Sequence, residues 1–334
     1  MLNWTPIVSL IESSRRILLT THENPDGDGL GTAYAMADFL RQRNIDHRIM
    51  IPSQVPVEYS FLNQDGRIET YRPEHQSWIE KADLCIIFDV GDFFRLRELG
   101  DFVRSRRIAT LNIDHHPHPE NHPFSHNMVD TTAAATGEMV YDLLRTAGVD
   151  RLSREMAVGI YTAIMTDTGS FRYNNTTARS HLTAIACMEA GVNTSKIYQS
   201  VYENNSRERI ALLGLILSSL RYEQNGEVAW FSIDGDMLRR AHARPEDVDG
   251  FTDFVRSVRG VEVAVMFFER PDGTCRINFR SKGRYVINEV AKQLGGGGHA
   301  FAAGAVLQDN LAEAIPKVKG LLARSMKAQA ETAP

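Results

Sequence analysis

"RILLTTHENPDGDGLGTAYAMADFL", residues 16–40, decides the fold. After Arg16 the stretch is apolar or β-branched through Thr21, as in a strand covered on both faces. From Leu30 onward apolar residues recur at Ala33, Tyr34, Ala37 and Leu40, the spacing of one helix face. Between strand and helix the chain places His22, Asp26 and Asp28. A strand that passes into a helix through such a loop opens an α/β unit. In open sheets of that kind, ligands gather at the carboxyl ends of the strands.

The same shape recurs downstream. Residues 46–51, 83–89 and 108–113 read as further strands, and residues 132–147 and 153–166 as helices, with Gly148 a stop after the first. Asp89 ends the run in "IIFDVGD", residues 86–92, and Asp114, His115 and His116 end another in "NIDHHPHPE", residues 112–120. Asp167 closes an apolar helix in "IMTDTGSF", residues 164–171. These patterns predict an α/β N-terminal domain over residues 1–190, with a mostly parallel sheet flanked by helices. Residues 191–220 read as a helical connector around a polar break from Glu203 to Arg209. Strand-like runs at 228–233, 261–268 and 275–280 and a helical tail at 311–328 predict a smaller C-terminal α+β domain over 221–330.

The chain of 334 residues is 43% hydrophobic, enough to bury a core without help from a metal or a disulfide. A metal here would therefore serve function. Cys85, Cys187 and Cys275 are far apart and odd in number, which argues against a disulfide framework or a zinc ribbon and for a reducing compartment. The first charged residues follow a short, interrupted apolar stretch, the reverse of a signal peptide, and no apolar run reaches the roughly 18 residues of a membrane span. The expectation is a soluble, cytoplasmic protein with no membrane partner. A net charge of −5 excludes the basic surplus that coats long duplex DNA or RNA, so a nucleic-acid substrate would be short.

A lone Asp-Gly-Asp is usually a turn, and a lone Asp-His-His a solvated loop. Here four separate elements each stay apolar until they end in Asp or His. Carboxylates converging on one sheet edge repel, and without a cation some must take up protons at neutral pH. Two divalent ions cancel the charge of four aspartates. Oxygen and imidazole donors suit Mn²⁺, with Fe²⁺, Co²⁺ or Mg²⁺ as alternatives. A pair of such ions is the usual device for phosphoryl hydrolysis.

With these residues in view, the sequence resembles the DHH phosphoesterase superfamily. "HENPDGDGLGTA", "FDVGD", "DHH" and "TDTGSFRY" match its four motifs in order, and "FRSKG" (279–283) and "GGGGHAFAAG" (295–304) match its DHH-associated C-terminal domain. The subgroup it is most similar to is the nanoRNase type, oligoribonuclease and pAp phosphatase, pAp being adenosine 3′,5′-bisphosphate. The resemblance implies that His22, Asp26 and Asp89 hold one ion. Asp28, Asp89, His115 and Asp167 would hold a second, with Asp89 bridging. It implies catalytic support from Asp114, fixing a histidine, and from His116, facing the substrate as phosphate contact or proton donor. Arg280 and Ser281 would clamp a phosphate beyond the scissile one.

Gly295, Gly296, Gly297 and Gly298 are a poor choice for any regular element and read as a backbone cradle for an anion, with His299 directly after them. Arg270, Arg276, Arg280, Lys282, Arg284 and Lys292 outnumber Asp272 and Glu289 in this stretch, which also points to phosphate binding. Arg172 either assists or makes a structural ion pair. The implied activity is hydrolysis, in a cleft between the domains, of short RNA oligonucleotides to mononucleotides and of pAp to AMP. A cyclic-dinucleotide or linear-dinucleotide phosphodiesterase is the nearest enzymatic rival. From another class, a non-catalytic nucleotide-binding module would have lost acidic ligands that this chain keeps. A homodimer is the default expectation for a soluble homo-oligomer.

Overall fold

The computed structural model describes residues 2–332. The chain divides between Asn204 and Asn205 into two compact units, each with its own sheet and core.

In the first unit, α1 (Thr5–Ser13) precedes β1 (Arg16–Thr21), α2 (Gly27–Gln42), β2 (Asp46–Ile51) and β3 (Ile68–Thr70). Then follow α3 (Gln76–Ile79), β4 (Leu84–Phe88), α4 (Arg97–Ser105), β5 (Ala109–Asp114), β6 (His126–Val129), α5 (Thr136–Thr146), α6 (Arg154–Asp167), α7 (Ala178–Glu189) and α8 (Thr194–Tyr202). The six strands run in the order β3-β2-β1-β4-β5-β6 and pair in parallel throughout. The order reverses between β1 and β4, so their carboxyl ends flank the switch point where α/β sheets take ligands.

Alternation along the strands explains the two covered faces. Ile17 and Leu19 of β1 and Ile86 and Phe88 of β4 enter a core shared with α2, α5 and α6. Leu18, Cys85 and Ile87 face a second cluster with Leu99, Phe102 and Val103 of α4. On the first face α2 and α6 cross with almost no side chain between them. A Cβ added at Gly31 would stand 2.3 Å from the Gly159 carbonyl oxygen, and one added at Gly159 would stand 2.3 Å from that of Gly31. Gly137 of α5 is equally tight, 2.5 Å from the Ala163 Cβ by the same construction. The glycines let three helices close on the sheet edge.

The second unit holds α9 (Arg207–Ser218), β7 (Arg221–Glu223), β8 (Val228–Ile233), α10 (Gly235–Ala241), α11 (Phe251–Arg256), β9 (Val263–Glu269) and β10 (Cys275–Ser281). It ends with α12 (Asn288–Gln293), β11 (Gly297–His299), β12 (Ala302–Leu307) and α13 (Leu311–Thr332). The strand order is β11-β12-β10-β9-β8-β7, antiparallel except for the parallel pair β8 and β9. Val263, Val265 and Phe267 pack towards α12 and α13, whereas Ala264, Met266 and Phe268 pack towards α9, α10 and α11. Within residues 191–220, α8 gives Ile197 to the first core, and α9 gives Leu212 and Ile216 to the second.

The glycine run corrects one expectation. Gly297 and Gly298 are not outside regular structure; they begin β11, opposite Gly304 and Ala303. The reason is close strand approach. A Cβ at Gly296 would lie 2.0 Å from the Gly304 carbonyl oxygen, and one at Gly298 would lie 2.6 Å from that of Ala302.

Candidate metal centre

Each acidic or imidazole group at the first sheet's edge is delivered by a different local device. His22 follows the last residue of β1. Asp26 is the N-cap of α2, where its Oδ1 accepts from the amides of Asp28 (3.0 Å) and Gly29 (3.2 Å). Asp28 sits in the first turn of α2 yet is fully buried. Its carboxylate accepts from the amides of Thr136 (2.7 Å) and Gly137 (2.9 Å) at the start of α5 and from the Thr32 hydroxyl (3.2 Å). Asp89 follows β4 in the left-handed region (φ +59°), uncommon for a residue with a side chain. Asp114 ends β5, with His115 and His116 directly after it, and Asp167 ends α6.

These groups meet. One set of potential donors is His22, Asp26 and Asp89; another is Asp28, His115 and Asp167; a third is Asp89, Asp114, His115 and His116. His22 Nε2 lies 3.4 Å from Asp89 and 3.8 Å from Asp26. His115 Nε2 lies 3.1 Å from Asp167, 3.5 Å from Asp89 and 3.7 Å from Asp28.

The remaining contacts set the rings. A carbonyl only accepts, so His115 Nδ1 donates to the Ala133 oxygen at 3.3 Å and turns Nε2 towards the carboxylates. His22 Nδ1 has two neighbours with opposite demands, the Glu23 carbonyl at 2.8 Å and the Arg95 guanidinium at 2.6 Å. Donation to Glu23 leaves Nε2 a lone pair for the cluster. Asp114 is fully buried; its Oδ1 lies 2.8 Å from His116 Nδ1 and its Oδ2 2.6 Å from His118 Nε2.

The electrostatics are those of a site built for cations. Burial pushes the Asp28 carboxyl well above the usual carboxylate range, and the charges of Asp89 and Asp167 add to it. Burial raises Asp167 to about 6 as well, against the pull of His115. At Asp89 burial is outweighed by the rings of His115, His116 and His22, which hold its carboxyl well below the usual range. Burial opposes charge on His115, yet Asp167 and Asp89 raise that ring to about 12. Burial opposes it on His116 too, and Asp114 and Asp89 raise that ring to about 10. Two buried atoms able to ligate a metal and aimed into the cluster, Asp89 Oδ1 and His115 Nε2, have no hydrogen-bond partner among the described residues. Carboxylate oxygens and imidazole nitrogens with orphaned lone pairs fit divalent cations.

The residues singled out in the second unit are differently engaged. Arg280 donates from Nε to Asp253 at 3.2 Å and from Nη1 to the Phe279 carbonyl at 3.1 Å. Ser281 is buried, and its hydroxyl accepts from the Gly283 amide at 3.2 Å. His299 is exposed on β11, while Gly295 and Gly297 have open space where a Cβ would stand. The expected basic surplus is largely compensated by acids distant in sequence. Arg276 pairs with Asp249, Arg280 with Asp253, Arg284 with Glu227, and Lys292 with nearby Glu289. Arg172 donates to the Gly169 carbonyl at 2.7 Å.

Motif reading does not reach Thr136 and Gly137, whose amides hold Asp28. Their only trace in the sequence is the small-residue run Ala133–Thr136 ahead of a helix. Nor does it reach His118, which the spacing of "DHHPH" places four residues beyond Asp114.

Residues 16–164 match the DHH family, N-terminal domain, and residues 227–327 match the DHHA1 domain. The bifunctional oligoribonuclease and PAP phosphatase NrnA of Thermus thermophilus is 30% identical over 299 residues, covering 87% of this chain and 84% of that protein. The protein of the same name from Bacillus subtilis is 28% identical over 306 residues, covering 90% and 92%. Among solved structures, an exopolyphosphatase-related protein from Bacteroides fragilis shares the fold with a TM-score of 0.92 at 24% identity, covering 98% of this chain and 97% of that one. RecJ from Thermus thermophilus in complex with Mn²⁺ shares it with a TM-score of 0.52 at 14% identity, covering 99% of this chain and 55% of that one.

Proposed function

Because this chain belongs to the DHH family, we propose that it is a metal-dependent phosphoesterase that hydrolyses short RNA oligonucleotides to mononucleotides and pAp to AMP. The observation that carries this reading is the acidic and imidazole cluster at the switch point of the parallel sheet. We assign His22, Asp26 and Asp89 to one divalent ion and Asp28, Asp89, His115 and Asp167 to another, with Asp89 shared. Mn²⁺ is the ion the donor set suits best. Such ions activate water and neutralise the charge that builds on phosphate oxygens during hydrolysis.

The chain's own groups do the rest. His116, whose Nδ1 is held against Asp114, would be the proton donor to the departing oxygen. Asp114, held near 2 because His116 and His118 overcome its burial, stays ionised and fixes that ring. The amides of Thr136 and Gly137 hold Asp28 in place without a side chain of their own. In the second unit, Arg280 keeps guanidinium N–H groups beyond those spent on Asp253 and Phe279, and these would take a remote phosphate. Ser281, the Gly295–Gly298 backbone and His299 are the further groups assigned to that phosphate.

The test is turnover by the Mn²⁺-loaded full chain across an RNA dinucleotide, pAp, pApA, cyclic di-AMP, pyrophosphate and long single-stranded DNA. Hydrolysis of the linear RNA dinucleotides, pApA among them, and of pAp above the others is the expected result. Turnover confined to cyclic di-AMP, pyrophosphate or long DNA would replace this reading with another phosphoesterase, and none with any metal would remove it.

A further inference from the structure

Asp167 and His115 come from elements far apart in sequence, the end of α6 and the loop after β5, yet their side chains stand 3.1 Å apart. Something must set that separation, because donor atoms that face one ion tolerate little drift. The Asn175 side chain joins the two supports. Its Nδ2 donates to the backbone carbonyl of Asp167 at 3.1 Å and to that of Ala134 at 3.1 Å. Ala134 is buried, and the carbonyl just before it, of Ala133, is the one that accepts from His115 Nδ1. The Ala134 amide is tied in turn to buried Glu138 at 3.1 Å.

Asn175 is itself delivered by a braced turn. The Arg172 and Tyr173 amides both bond the Thr168 carbonyl, at 2.9 and 3.0 Å, and the Phe171 amide bonds the Thr168 hydroxyl at 3.0 Å. Ser170 and Phe171 are held at φ +62° within this turn, a conformation side chains adopt only when their surroundings impose it. The contacts therefore close a ring. It runs from the His115 imidazole through the Ala133–Ala134 backbone and the Asn175 amide to the Asp167 backbone, and returns through the Asp167 carboxylate to His115.

We infer that Asn175 is a positioning residue for the metal centre, fixing the His115 and Asp167 donors at the spacing that a divalent ion needs. The inference rests on the two-metal reading above. It concerns the assembly of the site and not a contact with substrate.

The test uses the full chain stripped of metal and titrated with MnCl₂, followed by calorimetry and by electron paramagnetic resonance of bound Mn²⁺. Asn175→Ala removes both donors, Asn175→Ser leaves one hydroxyl for two carbonyls, and Asn175→Asp keeps the shape but replaces donors by acceptors. All three should fold without metal, as judged by circular dichroism. They should lose affinity for one of the two ions by about 10- to 100-fold, the usual cost of removing a partner that orients a ligand. The signal of the spin-coupled pair should weaken in parallel. Folded variants that bind two Mn²⁺ with wild-type affinity and spectrum would overturn the inference. So would failure of all three to fold, which would make Asn175 a general structural residue. Failure of the wild-type chain to bind two ions would instead defeat the two-metal reading.

Discussion

Asp89 carries the most at the residue scale. It belongs to two of the donor sets, as His115 does, and its backbone sits where alanine is strained. These properties separate in two variants. Asp89→Asn tolerates the left-handed backbone and keeps the shape but loses the charge. It should lower turnover of an RNA dinucleotide more than about 100-fold, beyond the cost of an outer partner. Asp89→Ala should lose activity equally and also lower stability by about 1 kcal/mol. Near-normal rates in either variant would defeat the site. Titration gives a second expectation. Metal uptake must displace the proton that Asp167 and Asp89 hold on His115, raised to about 12, and any that burial favours on Asp28. Each of these losses is favoured by higher pH, so Mn²⁺ affinity should rise with pH and binding should release protons. Calorimetry in buffers of different ionisation enthalpy checks this; uptake without proton release would contradict it. The acidic and imidazole groups that meet are legible in the sequence because they lie at or just beyond the ends of apolar runs. The partners of Asp28 and Arg280 are not, because Thr136, Gly137 and Asp253 meet them only through folding.

Among the elements, the crossing of α2 and α6 decides how near Asp28 and Asp167 can stand. Gly31 and Gly159 each occupy the space the other's side chain would need. Gly31→Ala should therefore force the helices apart and cost about 1–3 kcal/mol, the range for overpacked contacts. Urea unfolding should show a lower midpoint, with weaker Mn²⁺ binding beside it; an unchanged midpoint would mean that the helices slide freely. Strands β1, β2, β4 and β5 and helices α2, α5 and α6 follow from hydrophobic period, since parallel strands buried on both faces leave near-continuous apolar runs; the short edge strands β3 and β6 do not. The glycine run does not follow from period. Whether Gly297 and Gly298 mean a loop or a strand depends on Gly304 and Ala303, and nothing in residues 295–298 announces that neighbour.

For the whole molecule, two separate cores mean that ion binding belongs to one of them. All the groups assigned to the ions lie before Asn204, so Mn²⁺ should stabilise the first unit by about 2.7 kcal/mol for each ion bound at a hundredfold excess over its Kd. Calorimetric melting should show a transition that rises with Mn²⁺ and falls with chelator, and another that stays in place. A parallel shift of the whole profile would mean that the units unfold as one. The residues assigned to the ions are spread from His22 to Asp167, and Asp28 is bonded by the amides of residues 136 and 137. On the ribosome, an emerging chain would thus expose its first acidic loop long before the helices that finish it exist. The nascent segment has no competent pocket in which to trap a wrong cation, and ion choice is deferred until the sheet and its covering helices have come together.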